Sequence, residues 1–463
     1  MTPDNTNEEA RDLKNALAIF KAKDTLFTDR YAYYDGNHRI KYSTERLRKA
    51  FEKIDVFFAE NWCGVIVNAV LERIGLQGWT TEDQGLQVKL RNLWSTMAIQ
   101  RDASDVSEAA VVCGEGYIIA DRPDQELNLF YNDPRMSHLF YEASNPKKKR
   151  VGAKIWKLDD GRYELNLYYP DRISAYISRK EDKFPADGRD MEPNTEDSGP
   201  NDFKEIPVFH FRLHRRKVVG DLTRDICSLQ DAENKLVADL MASSEFNTFP
   251  ERIYITAQKI ANLKRSPGMK TRLAPAPKDV QPVSVEELGG SGLQQFIPPL
   301  ERFANSMAVI SRTPRHYFFS TGGNVSGDAL IAMEAPLVAK AETYRESLGE
   351  TWQELGAFVA RENGMSIPVS AIQPSWKPAA TVQPGARAVQ IRDLTQAGMG
   401  LESACRVAGL GEDEIRKIMK EKQGNDTQLA ADAQAALDAA RNTPLPVQPV
   451  PDAQKVANAN TTG

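Results

Sequence analysis

Apolar residues recur at helical spacing in two separated parts of the chain, with a stretch of strict alternation between them. The first helical part opens with a helix over residues 8–26 and a tyrosine cluster at 29–38 that ends in the turn signal Asp35-Gly36. Residues 61–74 follow, with Trp62, Ile66, Val67, Val70 and Ile74 on one face, and a further helix is predicted over 86–110. Gly114-Glu115-Gly116 breaks that helix, and 117–120 reads as a strand. From 127 to 178 the period changes to two, with aromatic-rich strands at 153–158, 163–169 and 173–177. Asp159-Asp160-Gly161 supplies a tight hairpin turn between the first two, so the segment predicts an antiparallel sheet. Residues 179–205, acidic and rich in Pro, Gly and Asp, predict a long mobile loop, and 206–211 returns as a strand.

The second helical part is built from longer elements. Residues 221–246 carry Leu222, Ile226, Leu229, Val237 and Leu240 along one side of a long amphipathic helix. An insert over 249–287 holds several prolines, with its clearest strand at 252–255. A helix over 293–310 follows, with Pro298-Pro299 in its first turns. Then comes a glycine-rich stretch, 320–328, and a long helix over 327–362 that Pro336 should bend. Two or three short helices are expected over 390–422. Residues 424–463 hold no aromatic residue and are expected to be disordered, because they cannot bury enough apolar surface to offset the entropy of ordering.

Composition narrows the function. The 463 residues suffice for two or three domains. A net charge of -5 argues against a surface that binds nucleic acid everywhere, so any contact with DNA must be local or weak. No apolar run is long enough to span a membrane, and the polar N-terminus lacks the pattern of a secretory signal. Cys63, Cys113, Cys227 and Cys405 show no metal spacing and read as reduced, mostly buried thiols of a cytoplasmically folded chain.

The usual catalytic signatures are missing. There is no Walker lysine motif, no His-Glu-x-x-His, no Cys-x-x-Cys pair and no Gly-x-Ser-x-Gly elbow, and no cofactor or metal is expected. His210 and His214 share a strand face without a neighbouring ligand in sequence and read as surface histidines. Lys147 to Arg150 reads as a solvated turn, against a nucleic-acid site. Lys264, Arg265, Lys270 and Arg272 decorate the insert, either as a docking surface for an acidic partner or as solubilising charge.

The order helix, insert, helix, glycine-rich loop, long helix resembles the portal proteins of tailed bacteriophages, in the branch with a Gly-x-x-Ser-Gly-x-Ala-Leu motif. Here that motif is Gly323-Asn324-Val325-Ser326-Gly327-Asp328-Ala329-Leu330. Ile206 to Phe211 leading into Gly220 to Ile226, and Tyr33-Tyr34-Asp35-Gly36 before the helix at 61–73, match the family's opening and its strand-to-helix handover. The resemblance covers about residues 11–422. It implies an α+β portal fold assembling as a dodecameric ring: wing (1–220), first stem helix (221–248), clip (249–292), second stem helix (293–316), tunnel loop (317–328), kinked helix and wing return (329–389), crown (390–423) and tail (424–463). It implies that the ring sits in the virion at the capsid vertex after assembly in the host cytoplasm, conducts double-stranded DNA non-specifically, and meets the terminase large subunit, the head–tail adaptor, and capsid and scaffolding proteins. It implies no enzyme activity. The acidic 179–205 segment has no counterpart in it.

Physics is compatible with a channel. Each phosphate neutralised by Lys or Arg adds affinity through counterion release, so a basic wall would stall moving DNA. The first stem helix carries Asp225, Asp231, Asp239 and Glu245, predicted to line the channel; a solvated face of an ordinary amphipathic helix explains the same charges. In the loop, Gly322, Gly323 and Gly327 permit positive φ, Val325 sits among them, and Asn324 and Ser326 offer neutral hydrogen bonds to phosphates. Ser326 also suits a helix cap. Two other classes stay open: a Mg²⁺-dependent enzyme on nucleotides or nucleic acid using this loop, and another minor virion head protein.

Overall fold

The computed structural model describes residues 3–38, 60–248, 251–255, 284–288, 292–319, 326–380 and 384–442. They form two units, one ending at Thr381 and one beginning at Val382. In the first, helix α1 (Pro3–Tyr34) is longer at both ends than its apolar pattern predicts. Leu13, Ala16, Leu17 and Phe20 are buried in one core, while Phe27 and Tyr33 reach a second, larger core. A helix spanning two cores shows an interrupted stripe, which hides its length in sequence. Asn61 caps α2 (Trp62–Leu71) by accepting from the Gly64 N–H at 3.0 Å. Strand β1 (Leu76–Thr80) precedes α3 (Gln84–Thr96) and α4 (Ile99–Cys113). The single helix expected over 86–110 is thus two. The break falls at Ala98, which adopts the left-handed conformation (φ 51°) and turns α4 so that Ala103, Val106 and Ala110 are buried. Gly114 ends α4 at φ +96°, where an added Cβ would lie 2.4 Å from the Val219 backbone nitrogen.

Strands β2 (Glu115–Asp121), β3 (Asn128–Asn132), β4 (Ser137–Glu142), β5 (Asn145–Lys157), β6 (Tyr163–Tyr168), β7 (Arg172–Ser178), β8 (Met191–Pro200) and β9 (Val208–Arg212) make two antiparallel sheets, ordered β3-β2-β9 and β4-β5-β6-β7-β8. The predicted hairpin at 159–161 is present, with Gly161 at φ +86°. Two expectations are corrected. Residues 179–205 are no open loop, because β8 within them pairs with β7. An exposed edge strand is held by backbone hydrogen bonds on one side, so its polar composition carries no alternating signal. Lys147 to Arg150 lie inside β5 instead of a turn: Lys148 pairs with Glu142 at 2.6 Å, Lys149 with Glu354 at 2.7 Å and Arg150 with Asp12 at 2.7 Å.

Helix α5 (Arg224–Thr248) leads to strands β10 (Glu251–Ile255) and β11 (Ser284–Leu288), which pair antiparallel. Helix α6 (Ile297–Ser311) returns, with its prolines in the first turn where no intrahelical N–H is needed. Helix α7 (Gly327–Glu362) spans 36 residues and holds Pro336 inside it. Its Leu337, Leu348, Trp352, Leu355 and Phe358 sit in the larger core, where Trp352 meets Trp79 and Trp94. Strand β12 (Gln373–Trp376) closes back on β1. The second unit holds α8 (Pro384–Gln396), α9 (Leu401–Val407) and α10 (Glu412–Asn442). The disorder expected from 424 is corrected as far as Asn442. Ala is the best helix former, so an alanine-rich run holds a helix without a core; residues 443–463 lie outside the described set. Among the described residues no helix is long and apolar enough to cross a membrane.

Candidate nucleic-acid interface

The glycine-rich segment is defined by its two roots. On the N-terminal side, a 3₁₀ turn at Arg315–Tyr317 delivers Phe318 and Phe319, both edge-on to Trp62 at 5.8 Å. On the C-terminal side, Ser326 caps α7, its Oγ accepting from the Ala329 N–H at 3.3 Å. Arg73, from the turn after α2, joins the two roots. It donates to the Tyr317 hydroxyl at 2.8 Å and pairs with Glu334 on α7 at 3.1 Å, while Tyr317 donates to Glu334 at 3.2 Å. Behind them Lys340 donates to Asp221 at 2.8 Å and to the Ser311 carbonyl at 2.7 Å, and Tyr344 donates to Asp221 at 2.6 Å. Both roots of the segment are thus held on one scaffold of packed side chains and ion pairs. Gly322, Gly323, Asn324 and Val325 lie outside the described residues; Ser326 and Gly327 are exposed at the segment's end. Sequence reading missed Arg73, Tyr317 and Glu334. An arginine closing an otherwise apolar helical pattern was the available signal, and its partners lie far away in the chain.

The predicted acidic wall of α5 needs correction. Asp225 is exposed, and Asp239 is half-buried and paired with Lys235. Asp231 does not face a channel: it is 3% exposed and accepts the Tyr33 hydroxyl at 2.9 Å on both oxygens. The physical reason is angular. Asp225 and Asp239 lie within about 40° of each other around the helix, and Asp231 sits about 120° from the first and about 80° from the second. The side chain of Glu245 lies outside the described set, as do Lys264, Arg265, Lys270 and Arg272. His210 is also corrected: it is buried, with Nε2 2.9 Å from Glu115 Oε2, and is no surface histidine.

Glu233 on the same helix is fully buried, and burial together with the neighbouring Glu60 carboxyl pushes its pKa up to about 9. Its folded pKa thus lies above the ordinary value. The unfolded chain ionises first, and stability falls as pH rises from about 4.5 towards about 9. Glu233→Gln is expected to add about 1–3 kcal/mol at pH 8 and to flatten that decline. Melting curves of both proteins between pH 5 and 9 check it; parallel curves would remove Glu233 as the cause.

Helix α6 carries exposed apolar side chains: Ile297 is 51%, Val309 79% and Ile310 45% exposed. Val309 and Ile310 line a groove along the helix together with Pro298, Pro299, Arg302 and Asn305. Among the described residues no cluster of three or more His, Cys, Asp or Glu has the arrangement of a metal site.

Long helices bracketing a pair of antiparallel strands, beside a body of further helices and two antiparallel sheets, define a protein of α+β class. The chain belongs to the phage portal protein family: residues 13–428 match the family described as "Phage portal protein, SPP1 Gp6-like", a family of virion structural proteins. No curated protein sequence matches the chain. Among solved structures, a chain from "Neck of empty GTA particle computed with C6 symmetry" aligns over 80% of this chain and 95% of its own, at 11% identity and TM-score 0.44. A chain from "Virion of native gene transfer agent (GTA) particle" aligns over 83% and 99%, at 11% identity and TM-score 0.41.

Proposed function

We propose that copies of this chain form a ring at the capsid vertex that conducts double-stranded DNA during packaging and ejection, without enzymatic activity of its own. In this reading α5 and α6 are the stem, the β10–β11 insert is the clip, residues 317–328 are the tunnel loop, and the second unit contains the crown. The clip, with Lys264, Arg265, Lys270 and Arg272, docks the terminase large subunit and later the head–tail adaptor. Capsid and scaffolding proteins surround the ring, which is built in the host cytoplasm and ends in the virion. Family membership over residues 13–428 carries the reading, and the exposed groove along α6 that holds Val309 and Ile310 supports it. A second copy suits that groove. Arg302, Arg312 and Arg315 are exposed on and just beyond α6, and Glu342, Glu346 and Glu350 are exposed on α7, so a head-to-tail neighbour brings opposite charges together. Negative-stain microscopy of the purified protein should show closed rings with a central hole. Monomers or two-fold dimers alone, at every salt and protein concentration, would overturn the proposal.

Asp225, Asp239 and Glu245 then act by repulsion, keeping the duplex off the stem, while Asn324 and Ser326 make weak, quickly released contacts with phosphates. Asn324→Lys is expected to convert passing contact into retention. Each added phosphate contact steepens the salt dependence of binding by about 0.9 in the log–log slope. Duplex binding to assembled rings, measured across salt concentrations, reads that slope; an unchanged slope would place Asn324 away from DNA.

A further inference from the structure

We infer that helix α2 is a strut coupling the long helix α5 to both roots of the glycine-rich segment, with Gln230 and Arg73 as the positioning residues at its two ends. The first end is a cap supplied from another helix. The first N–H groups of a helix have no acceptor within it. Asn61 takes the Gly64 N–H of α2 at 3.0 Å, and Gln230 of α5 takes the two before it. Its Oε1 accepts from the Trp62 and Cys63 N–H groups at 2.9 and 3.1 Å. The Gln230 amide nitrogen donates to the Glu60 carbonyl at 2.6 Å and to the Glu233 carboxyl at 3.1 Å. Asn234, one turn further along α5, accepts from the Glu60 N–H at 3.0 Å. Gln230, Glu233 and Asn234 are all buried. Helix α5 thus meets the start of α2 through polar side chains. Hydrogen bonds fix both distance and direction, so this seam holds the two helices in one register.

The other end of α2 reaches the roots. Arg73 lies just past its C-terminus and is buried, and its Nη1 donates to the Ala69 carbonyl at 3.1 Å, which fixes the guanidinium to the helix it follows. Its Nη2 carries the contacts to Tyr317 on one root and Glu334 on the other. Trp62, whose N–H Gln230 holds, turns its ring to Phe318 and Phe319. The first root therefore lies against α2 at both of the helix's ends. Between them seven of the ten residues are buried, and Ile66, Val67 and Val70 sit in the larger core. A close-packed interior is barely compressible, so displacement of one end of such a helix is carried to the other.

These contacts lie within one chain, and the coupling does not rest on ring assembly. A second route from α5 to the first root exists through α6, which packs on α5 and leads into the turn at Arg315–Tyr317. The two routes differ in one respect: only the first passes through Arg73.

Amide hydrogen exchange of the full-length chain, with every variant in the same assembly state, separates them. The Tyr317, Phe318 and Phe319 N–H groups are bonded within their own turn, and the Leu330 N–H to the Ser326 carbonyl, so their exchange reports the opening of each root. Gln230→Met keeps the length of the side chain and removes its four hydrogen bonds. It is expected to speed exchange at both roots roughly three- to tenfold, about the effect of losing one net hydrogen bond. Strands β5 and β6, which pack in the other core, should keep their wild-type rate. Arg73→Met should speed the roots as well. The double variant should match Arg73→Met alone, since a strut cut at one end transmits nothing from the other. Asn234→Ala releases only the Glu60 and His38 contacts, so it should give the same pattern at smaller amplitude and decides the matter if Gln230→Met does not fold. Wild-type exchange at both roots in folded Gln230→Met or Asn234→Ala protein would overturn the inference. Effects of Gln230→Met and Arg73→Met that simply add would also overturn it, and would assign the coupling to α6.

Discussion

Val309→Asp is expected to abolish ring assembly while leaving each chain folded. Val309 is 79% exposed on α6, so the monomer gains a solvated carboxylate and its stability should change by no more than about 0.5 kcal/mol. In the proposed ring the same position is covered. It shares its groove with Ile310, Pro298 and Pro299, and a carboxylate buried there loses much of its water. A cost of about 2–4 kcal/mol per junction weakens each contact by roughly 30- to 1,000-fold. A head-to-tail ring repeats its junction between every pair of neighbours, so the defect recurs at each one. Sedimentation velocity at matched concentrations should show rings for the wild type and monomers for the variant, with unchanged circular dichroism. Rings of normal abundance from Val309→Asp would show that this face is not an interface.

Glu115→Ala is expected to destabilise the first unit by about 3–5 kcal/mol, because it leaves a buried ammonium without its counter-charge. Glu115 is fully buried at the start of β2. Its carboxylate pairs with Lys23 of α1 at 2.5 Å and lies 2.9 Å from His210 of β9. Lys23 also donates to the Ser137 carbonyl at 2.9 Å and the Tyr117 hydroxyl at 3.2 Å, and the Tyr141 hydroxyl is 3.2 Å from His210 Nδ1. The cluster joins α1 and both sheets through one carboxylate. Burial works against ionisation of Glu115, yet the Lys23 charge and the His210 hydrogen bond outweigh it and hold the carboxyl well below its usual range. The sign follows directly. A depressed folded pKa contributes stability above the ordinary glutamate value, and that contribution is lost as the solution is acidified below it. The wild type should therefore lose stability steeply in acid, and Glu115→Ala should start lower and fall less. Thermal melting from pH 3 to 7, with proteolysis of α1 as a local readout, checks both. The double variant Lys23→Met with Glu115→Leu should recover much of the loss, since an apolar pair of similar volume removes the buried charge entirely. A Glu115→Ala protein as stable as the wild type at pH 7 would assign the cluster no structural weight.

The elements most legible in sequence were those whose signals are local. Helix α7 is observed over the span its periodicity predicts, because a serine cap and an unbroken amphipathic stripe mark it. The β5–β6 hairpin was equally plain, since alternation on both sides of Asp159-Asp160-Gly161 specifies turn and register together. Strand β8 was not, because an edge strand is stabilised by its neighbour's backbone and not by its own side chains. Helix α10 was underestimated because lack of a core was read as lack of structure, whereas alanine propensity acts residue by residue.

The candidate site divides along the same line. Periodicity and the capping serine determined from sequence alone that a glycine-rich segment lies between two long helices and that Ser326 begins the second. The ordering of helix, insert and loop determined the family. Only the tertiary structure decided which charges are free to act. Asp225 and Asp231 look alike in sequence, yet one is exposed and the other is enclosed against Tyr33. His210 and Glu115 meet across β2 and β9, and Arg73 joins Tyr317 to Glu334, through contacts between residues about 95 and 244 positions apart. The reason is physical. Backbone conformation is set largely by neighbours within a turn or two, so a sequence displays it. The state of a charge is set by its whole surroundings, and those exist only once distant segments have packed.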